Sequence, residues 1–263
     1  MGGSLYIIHL DMARFLHGHV LREAHLNISS LERSMELYSL ILNMEGVSKG
    51  NTLEYELVGS RLTLVETSGA RHKPFNAPGL YHIAFTVDSI NGLAEVLRRL
   101  YKNGIYITGT ADHGYTYAIY LSDPDGNGIE VYWDKPWYRG ALKTSPLDIR
   151  EILRFDGDNG YRVSLGHIHL KVGDLRSAEE FYVNRLGMKV TTREYVGALF
   201  MSYTDYHHHV AVNTWLTKGG GRWASPGEYI GLVRYTLQPP DQRVMEGIYR
   251  DPAGVEVEVV HSW

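Results

Sequence analysis

Thirteen histidines and no cysteine set the terms for any chemistry this 263-residue chain performs. Without thiolates there is no Cys nucleophile, no disulfide framework and no Zn–S site. A metal would have to be held by imidazole nitrogens and by carboxylate or similar oxygens. Such groups collect in a few places. The run His207-His208-His209 leads straight into Val210-Ala211-Val212. Two Asp-Pro-x-Gly turns, in LSDPDGNGIEVYW (121–133) and YRDPAGVEVEVVH (249–261), each carry an acid seven positions after the first Asp, at Glu130 and Glu258. His25, His82, His167 and His169 sit within segments of alternating apolar character. On a strand, alternation sends His207 and His209 to one face and His208 to the other, so register decides which imidazole meets which partner.

The elements that must position these groups come as a repeat. The segments AHLNISSLERSMELYSLILNM (24–44) and IHLKVGDLRSAEEFYVNRLGM (168–188) align without gaps, with Leu31/Leu175, Tyr38/Tyr182 and Met44/Met188 in step. Each opens with strand-like alternation, passes through a Ser- or Asp-started helix, and continues as short strands: TLEYELVG and RLTLVE, then GALFMSY and HHVAVNTW. That pattern is βαβββ, twice. Ahead of the first Asp-Pro-x-Gly turn stand GLYHIAFTVDS and a helix ended by Asn103-Gly104; ahead of the second stands YIGLVRYTLQ and almost nothing more. The chain therefore reads as an α+β protein of four βαβββ modules, at 20–68, 79–134, 164–216 and, truncated, 228–263. An N-terminal tail (1–19) precedes them, and a linker (135–163) with Pro136 and Pro146 separates the second from the third. Paired modules should curl their strands into two cup-shaped mixed sheets lined by alternate residues.

Composition excludes other classes. Hydrophobic residues make up 44% and charged residues 21%, with a formal net charge of -4 and no Lys/Arg cluster, so neither nucleic acid nor a membrane surface is an expected partner. The apolar stretch Leu5–Leu10 is too short for a signal peptide and is broken by Asp11, and no run approaches membrane-spanning length. Cytoplasmic residence is the expectation.

The strings GLYHIAFTV, DHGYTYAIYLSDPDGNGIEVYWDKP, LGHIHLKVGDL and YHHHVAVNTW resemble the vicinal oxygen chelate superfamily, in particular its catechol 2,3-dioxygenase-like branch. The resemblance covers nearly the whole chain after residue 20. It implies that metal ligands come from the first strand of a module (His) and the last strand (Glu). The first-strand positions are Glu23, His82, His167 and Arg234; the last-strand positions are Glu130 and Glu258, with Asn213-Thr214 near that place in the third module. A complete set arises only from His82, Glu130 and His167. Two imidazoles and one carboxylate form the facial triad of non-haem Fe(II) oxygenases, provided that modules two and three share a cup. His169 and His25 are the alternative ligands. Mn(II), Zn(II) or Ni(II) would also suit such a site. In the rival cup an Arg stands where a cation would have to bind.

The same resemblance implies a ring-orienting His113 within Asp112-His113-Gly114, a Tyr120 ahead of the Asp-Pro turn, and an acid/base His208 or His209. The expected activity is extradiol ring cleavage of a catechol-like small molecule by dioxygen. The alternatives are a glyoxalase-like lyase or isomerase, which would call for a second acid, and a metal-free, bleomycin-resistance-like binding protein. Tyr115, Tyr117, Trp133, Trp137 and Trp215 are candidates to line a pocket for a planar ring. Exposed sheet edges allow a homodimer.

Overall fold

A computed structural model of the chain describes residues 20–136, 140, 143–217 and 228–263. The N-terminal tail and Trp137 lie outside the described residues. The elements are β1 (Leu21–Ile28), α1 (Leu31–Leu42), β2 (Val47–Lys49), β3 (Thr52–Leu57) and β4 (Ser60–Glu66). Then come β5 (Gly79–Val87), α2 (Ile90–Lys102), β6 (Ile107–Asp112), β7 (Thr116–Ser122), β8 (Gly128–Asp134), β9 (Ser145–Pro146) and α3 (Ile149–Leu153). The third set is β10 (Val163–Lys171), α4 (Leu175–Glu179) running into a π-helical turn (Glu180–Arg185), β11 (Lys189–Thr192), β12 (Ala198–Ser202) and β13 (Val210–Asn213). The last is β14 (Gly231–Leu237), β15 (Gly247–Arg250) and β16 (Glu256–Val259), with no helix between β14 and β15, in keeping with a truncated fourth module. No helix among the described residues is long and apolar enough to cross a membrane.

The helices begin where the sequence supplies caps. Ser30 and Ser89 accept the first free N–H groups of α1 and α2, from Arg33 and Gly92, and Asp174 accepts from Ser177 at α4. Helix α1 buries Leu37, Tyr38, Ile41 and Leu42 along one stripe and stops at Asn43, which adopts a left-handed φ of 57°.

The strands form two mixed sheets of the same plan. One has the order β11-β12-β13-β10-β5-β8-β7-β6-β9, the other β15-β16-β14-β1-β4-β3-β2. In each, two first strands pair antiparallel at the centre (β5 with β10, β1 with β14), and each is flanked by a parallel last strand. Strands of the second and third segments thus share one sheet, and those of the first and fourth the other. Alternation divides the faces. Ile83, Phe85 and Val87 on β5 and Ile129, Val131 and Trp133 on β8 join the main core, whereas Ala84 and Tyr132 lie on the opposite face.

The Asp-Pro-x-Gly turns tie the helices to the sheets. Asp123 accepts backbone N–H bonds from Asp125 and Asn127 (2.9 and 2.8 Å) and a bond from the Tyr38 hydroxyl of α1 (3.1 Å). Asp251 repeats this with Ala253 and Val255 (both 2.8 Å) and with the Tyr182 hydroxyl (2.6 Å). The tyrosines that align in the sequence repeat are therefore each held by the first Asp of a following turn.

Candidate functional site

The centre of the larger sheet brings His82, Glu130 and His167 together around one small residue. Ala84 on β5 pairs with Glu130 on β8 from one side and with His167 on β10 from the other, and His82 lies two residues along the same face. A bulge makes this possible. The register shifts between Leu165 and His167, so Gly166 is an extra residue; Leu165 faces the core and His167 the other side. A Cβ at Gly166 would lie 2.0 Å from the Tyr132 hydroxyl, so only glycine fits as this packing stands.

The three donor atoms form a near-equilateral triangle. His82 Nε2 is 3.1 Å and His167 Nε2 3.3 Å from Glu130 Oε2, and the two nitrogens are 3.2 Å apart. Metal–ligand distances of about 2.0–2.2 Å place neighbouring donor atoms on one ion roughly 3 Å apart, so the triangle fits a divalent cation. All three residues are buried. Burial, only partly opposed by Glu130, holds His167 down at about 4, leaving a neutral imidazole. Burial pushes Glu130 up, but the facing His167 and His82 outweigh it and keep the carboxylate ionised. Two imidazole nitrogens and a carboxylate oxygen, all buried and converging on one point, suit a cation between them.

These groups form the floor of a cavity of about 500 Å³ whose walls are largely aromatic, including Tyr81, Tyr115, Tyr195, Phe200 and Trp215. On one side His113 Nε2 is 2.7 Å from the Tyr120 hydroxyl, while its Nδ1 is 2.9 Å from Thr144 Oγ1, which in turn meets Tyr195. Burial, then the charge of Glu130, raises Tyr120 well above its usual range, so it is a neutral phenol. Burial also lowers His113. On the other side His208 packs on His167 with ring centres 4.1 Å apart. Burial and the neighbouring His167 hold His208 well below its usual value, hence neutral.

Of the remaining sequence candidates, His209 is placed away from the cavity. Its Nδ1 accepts the Tyr203 N–H (3.2 Å) and lies 2.9 Å from Ser202 Oγ. The expectation that His207 and His208 would diverge fails for a physical reason: both precede β13, in a loop where strict alternation does not apply, and both line the cavity. His169 also lines it, but its Nε2 is engaged by Asn213 Nδ2 at 2.9 Å and it stands outside the converging group of ligand atoms. Trp133 is a core residue and Tyr117 packs against the core, with the Lys135 ammonium over its ring, so neither lines the cavity; Tyr115 and Trp215 do. Thr144, Tyr195, Tyr81 and Phe200 carried no sequence signal beyond residue type.

In the smaller sheet the equivalent positions are occupied by internal pairs. Glu23 meets His25 (3.1 Å) and Thr63 (3.1 Å), Arg234 meets Glu256 (2.9 Å), and Glu258 accepts from Thr236 (3.0 Å). Among the described residues, His82, Glu130 and His167 are the one group of three or more such side chains whose ligand atoms converge on a metal-sized space.

Comparison with known proteins agrees with this architecture. Residues 17–131 match the Glyoxalase/Bleomycin resistance protein/Dioxygenase superfamily. The catechol-2,3-dioxygenase of Bacillus subtilis (strain 168) is 37% identical over 243 residues, covering 85% of this chain and 84% of that protein. Biphenyl-2,3-diol 1,2-dioxygenase 2 of Rhodococcus globerulus is 30% identical over 113 residues, covering 41% of this chain and 60% of its own length. Among solved structures, glyoxalase I from Zea mays shares the fold (TM-score 0.57, 16% identity, 91% of each chain).

Proposed function

Since the chain belongs to the glyoxalase/bleomycin resistance protein/dioxygenase superfamily, we propose that it is a metal-dependent extradiol-type dioxygenase that opens the ring of a catechol-like small molecule. The observation that carries this reading is the buried triangle of His82 Nε2, Glu130 Oε2 and His167 Nε2 at the floor of an aromatic-walled cavity. Fe(II) is the metal this donor set suits best, and when bound it would supply a Lewis acid that acidifies a chelating diol and open positions for diol and dioxygen.

The chain's own residues supply the rest. Tyr81, Trp215 and Phe200 provide flat apolar surface for a planar ring. Neutral His208, next to His167, is the group placed to take the proton of a substrate hydroxyl and return it later. The Tyr120 phenol, held by His113, donates toward a ring oxygen and steadies the developing anion. A glyoxalase-type reaction is disfavoured because the position of a second acid is taken by Asn213, whose amide is committed to His169. The catechol-2,3-dioxygenase name of the 37%-identical relative points the same way.

The test is oxygen uptake by the apo-protein reloaded anaerobically with Fe(II), against a panel of catechols. Fe(II)-dependent uptake with a coloured ring-opened product, abolished in His82→Ala and Glu130→Ala, is the expected result. Metal binding that requires both residues, with no catechol driving uptake, would overturn the dioxygenase reading.

A further inference from the structure

Behind His208, the ring packed on His167, lies a chain of polar groups. Asp134, at the end of β8, accepts from the Tyr206 hydroxyl through Oδ2 (2.9 Å) and lies 3.1 Å from His207 Nε2 through Oδ1. His207 Nδ1 is in turn 2.8 Å from His208 Nδ1. The His207 ring is clamped in plane, stacked on Tyr115 at 4.4 Å and 10° and packed against Tyr206 at 3.9 Å.

Donor and acceptor roles follow from one end of this chain. A carboxylate has no proton to give, so His207 Nε2 must carry the hydrogen in its contact with Asp134. With its ring hydrogen held on Nε2 by Asp134, His207 presents its Nδ1 lone pair to the neighbouring ring. The 2.8 Å contact between the two Nδ1 atoms then requires His208 Nδ1–H to donate. A neutral His208 protonated on Nδ1 bears its lone pair on Nε2, the ring nitrogen left for the cavity that His208 lines.

We propose that Asp134 and His207 are positioning residues that fix His208 as the Nδ1–H tautomer, so that its Nε2 meets the substrate as a base. The catalytic consequence rests on the extradiol reading; the tautomer assignment does not. When His208 takes a proton on Nε2, its Nδ1–H remains donated to His207, and the Asp134 carboxylate behind both rings stabilises the resulting imidazolium.

The experiment uses Asp134→Asn, in which the amide oxygen can still accept from Tyr206 while the amide N–H₂ faces His207. His207 would then have to accept through Nε2 and donate through Nδ1, forcing the His208 proton onto Nε2. Nitrogen-15 correlation spectra of histidine-labelled protein loaded with diamagnetic Zn(II) read the tautomer directly. The expected spectra show His208 protonated on Nδ1 in the wild type and on Nε2 in Asp134→Asn. In the Fe(II) enzyme the same variant should lose kcat by about 10²-fold or more, the scale of general-base catalysis, with KM and metal content little changed. His207→Phe, which keeps the stack on Tyr115 but offers no acceptor, should lose kcat alike. Tyr206→Phe, which leaves the Asp134–His207 contact intact, should retain the wild-type tautomer. A wild-type His208 protonated on Nε2 would overturn the proposal, as would Asp134→Asn and His207→Phe proteins with unaltered kcat. Were the wild type inactive on every catechol, the reaction would be wrong while the spectra still decided the tautomer.

Discussion

Replacing Gly166 by Ala tests the packing that aims His167 at Glu130 and His82. A Cβ there would stand 2.0 Å from Tyr132 Oη, 2.6 Å from Cζ and 2.7 Å from Cε1, where carbon contacts normally begin near 3.5 Å. Tyr132 is fully buried, so the ring has nowhere to retreat without displacing neighbours, and its hydroxyl is bonded to Tyr206. Overpacking of this kind costs about 1–3 kcal/mol, and breaking the tyrosine pair adds roughly 1 kcal/mol. The backbone at Gly166 is not left-handed, so sterics alone set the penalty. Gly166→Ala should therefore lose about 2–4 kcal/mol in urea denaturation, with m unchanged. Adding Tyr132→Phe removes the atom in closest conflict but leaves the ring carbons, so the double variant should recover about 1 kcal/mol relative to additivity. A loss below about 0.5 kcal/mol, or strict additivity, would refute the packing argument.

Other outcomes follow from the same structure. His82→Ala and Glu130→Ala should each cut bound metal, measured by elemental analysis after dialysis, from one equivalent to near none; retention of a full equivalent in both would place the metal elsewhere. Asp251 is fully buried, and burial pushes its carboxyl up from 3.8 to about 6 despite the bonds from Tyr182 and the backbone. The folded state then holds this proton more tightly than the unfolded chain does. The stabilisation is therefore complete below pH 3.8 and disappears as pH rises through about 6. At about 1.4 kcal/mol per unit the difference is roughly 3 kcal/mol. Asp251→Asn keeps an oxygen for the Ala253 and Val255 N–H groups, so it should gain about 2.5 kcal/mol on the wild type between pH 4 and pH 7.5 in paired urea melts. Parallel profiles would sink that assignment.

Much of the site was legible before any coordinates. The repeat located the strands, and the resemblance to the vicinal oxygen chelate superfamily pointed to His82 and Glu130 as first- and last-strand ligand positions, which lie on the neighbouring strands β5 and β8. The aligned Tyr38/Tyr182 and the paired turns also stood in the sequence, although their joint role as a clamp did not. These features are local, and local sterics write them into residue order. Three matters were decided only by the folded chain. Which modules share a sheet depends on the pairing of β5 with β10, a contact between segments far apart in sequence that no periodicity encodes. His167 reaches the site because the bulge at Gly166 moves it off the face that strict alternation from Leu165 would give it. And His207 and His208 both face the cavity because the loop ahead of β13 is not yet a strand, so its side chains are aimed by Asp134, Tyr206 and Tyr115 rather than by the pleat. A sequence fixes two faces for a strand; which face, which partner and where the alternation breaks are set by the tertiary contacts that bury it.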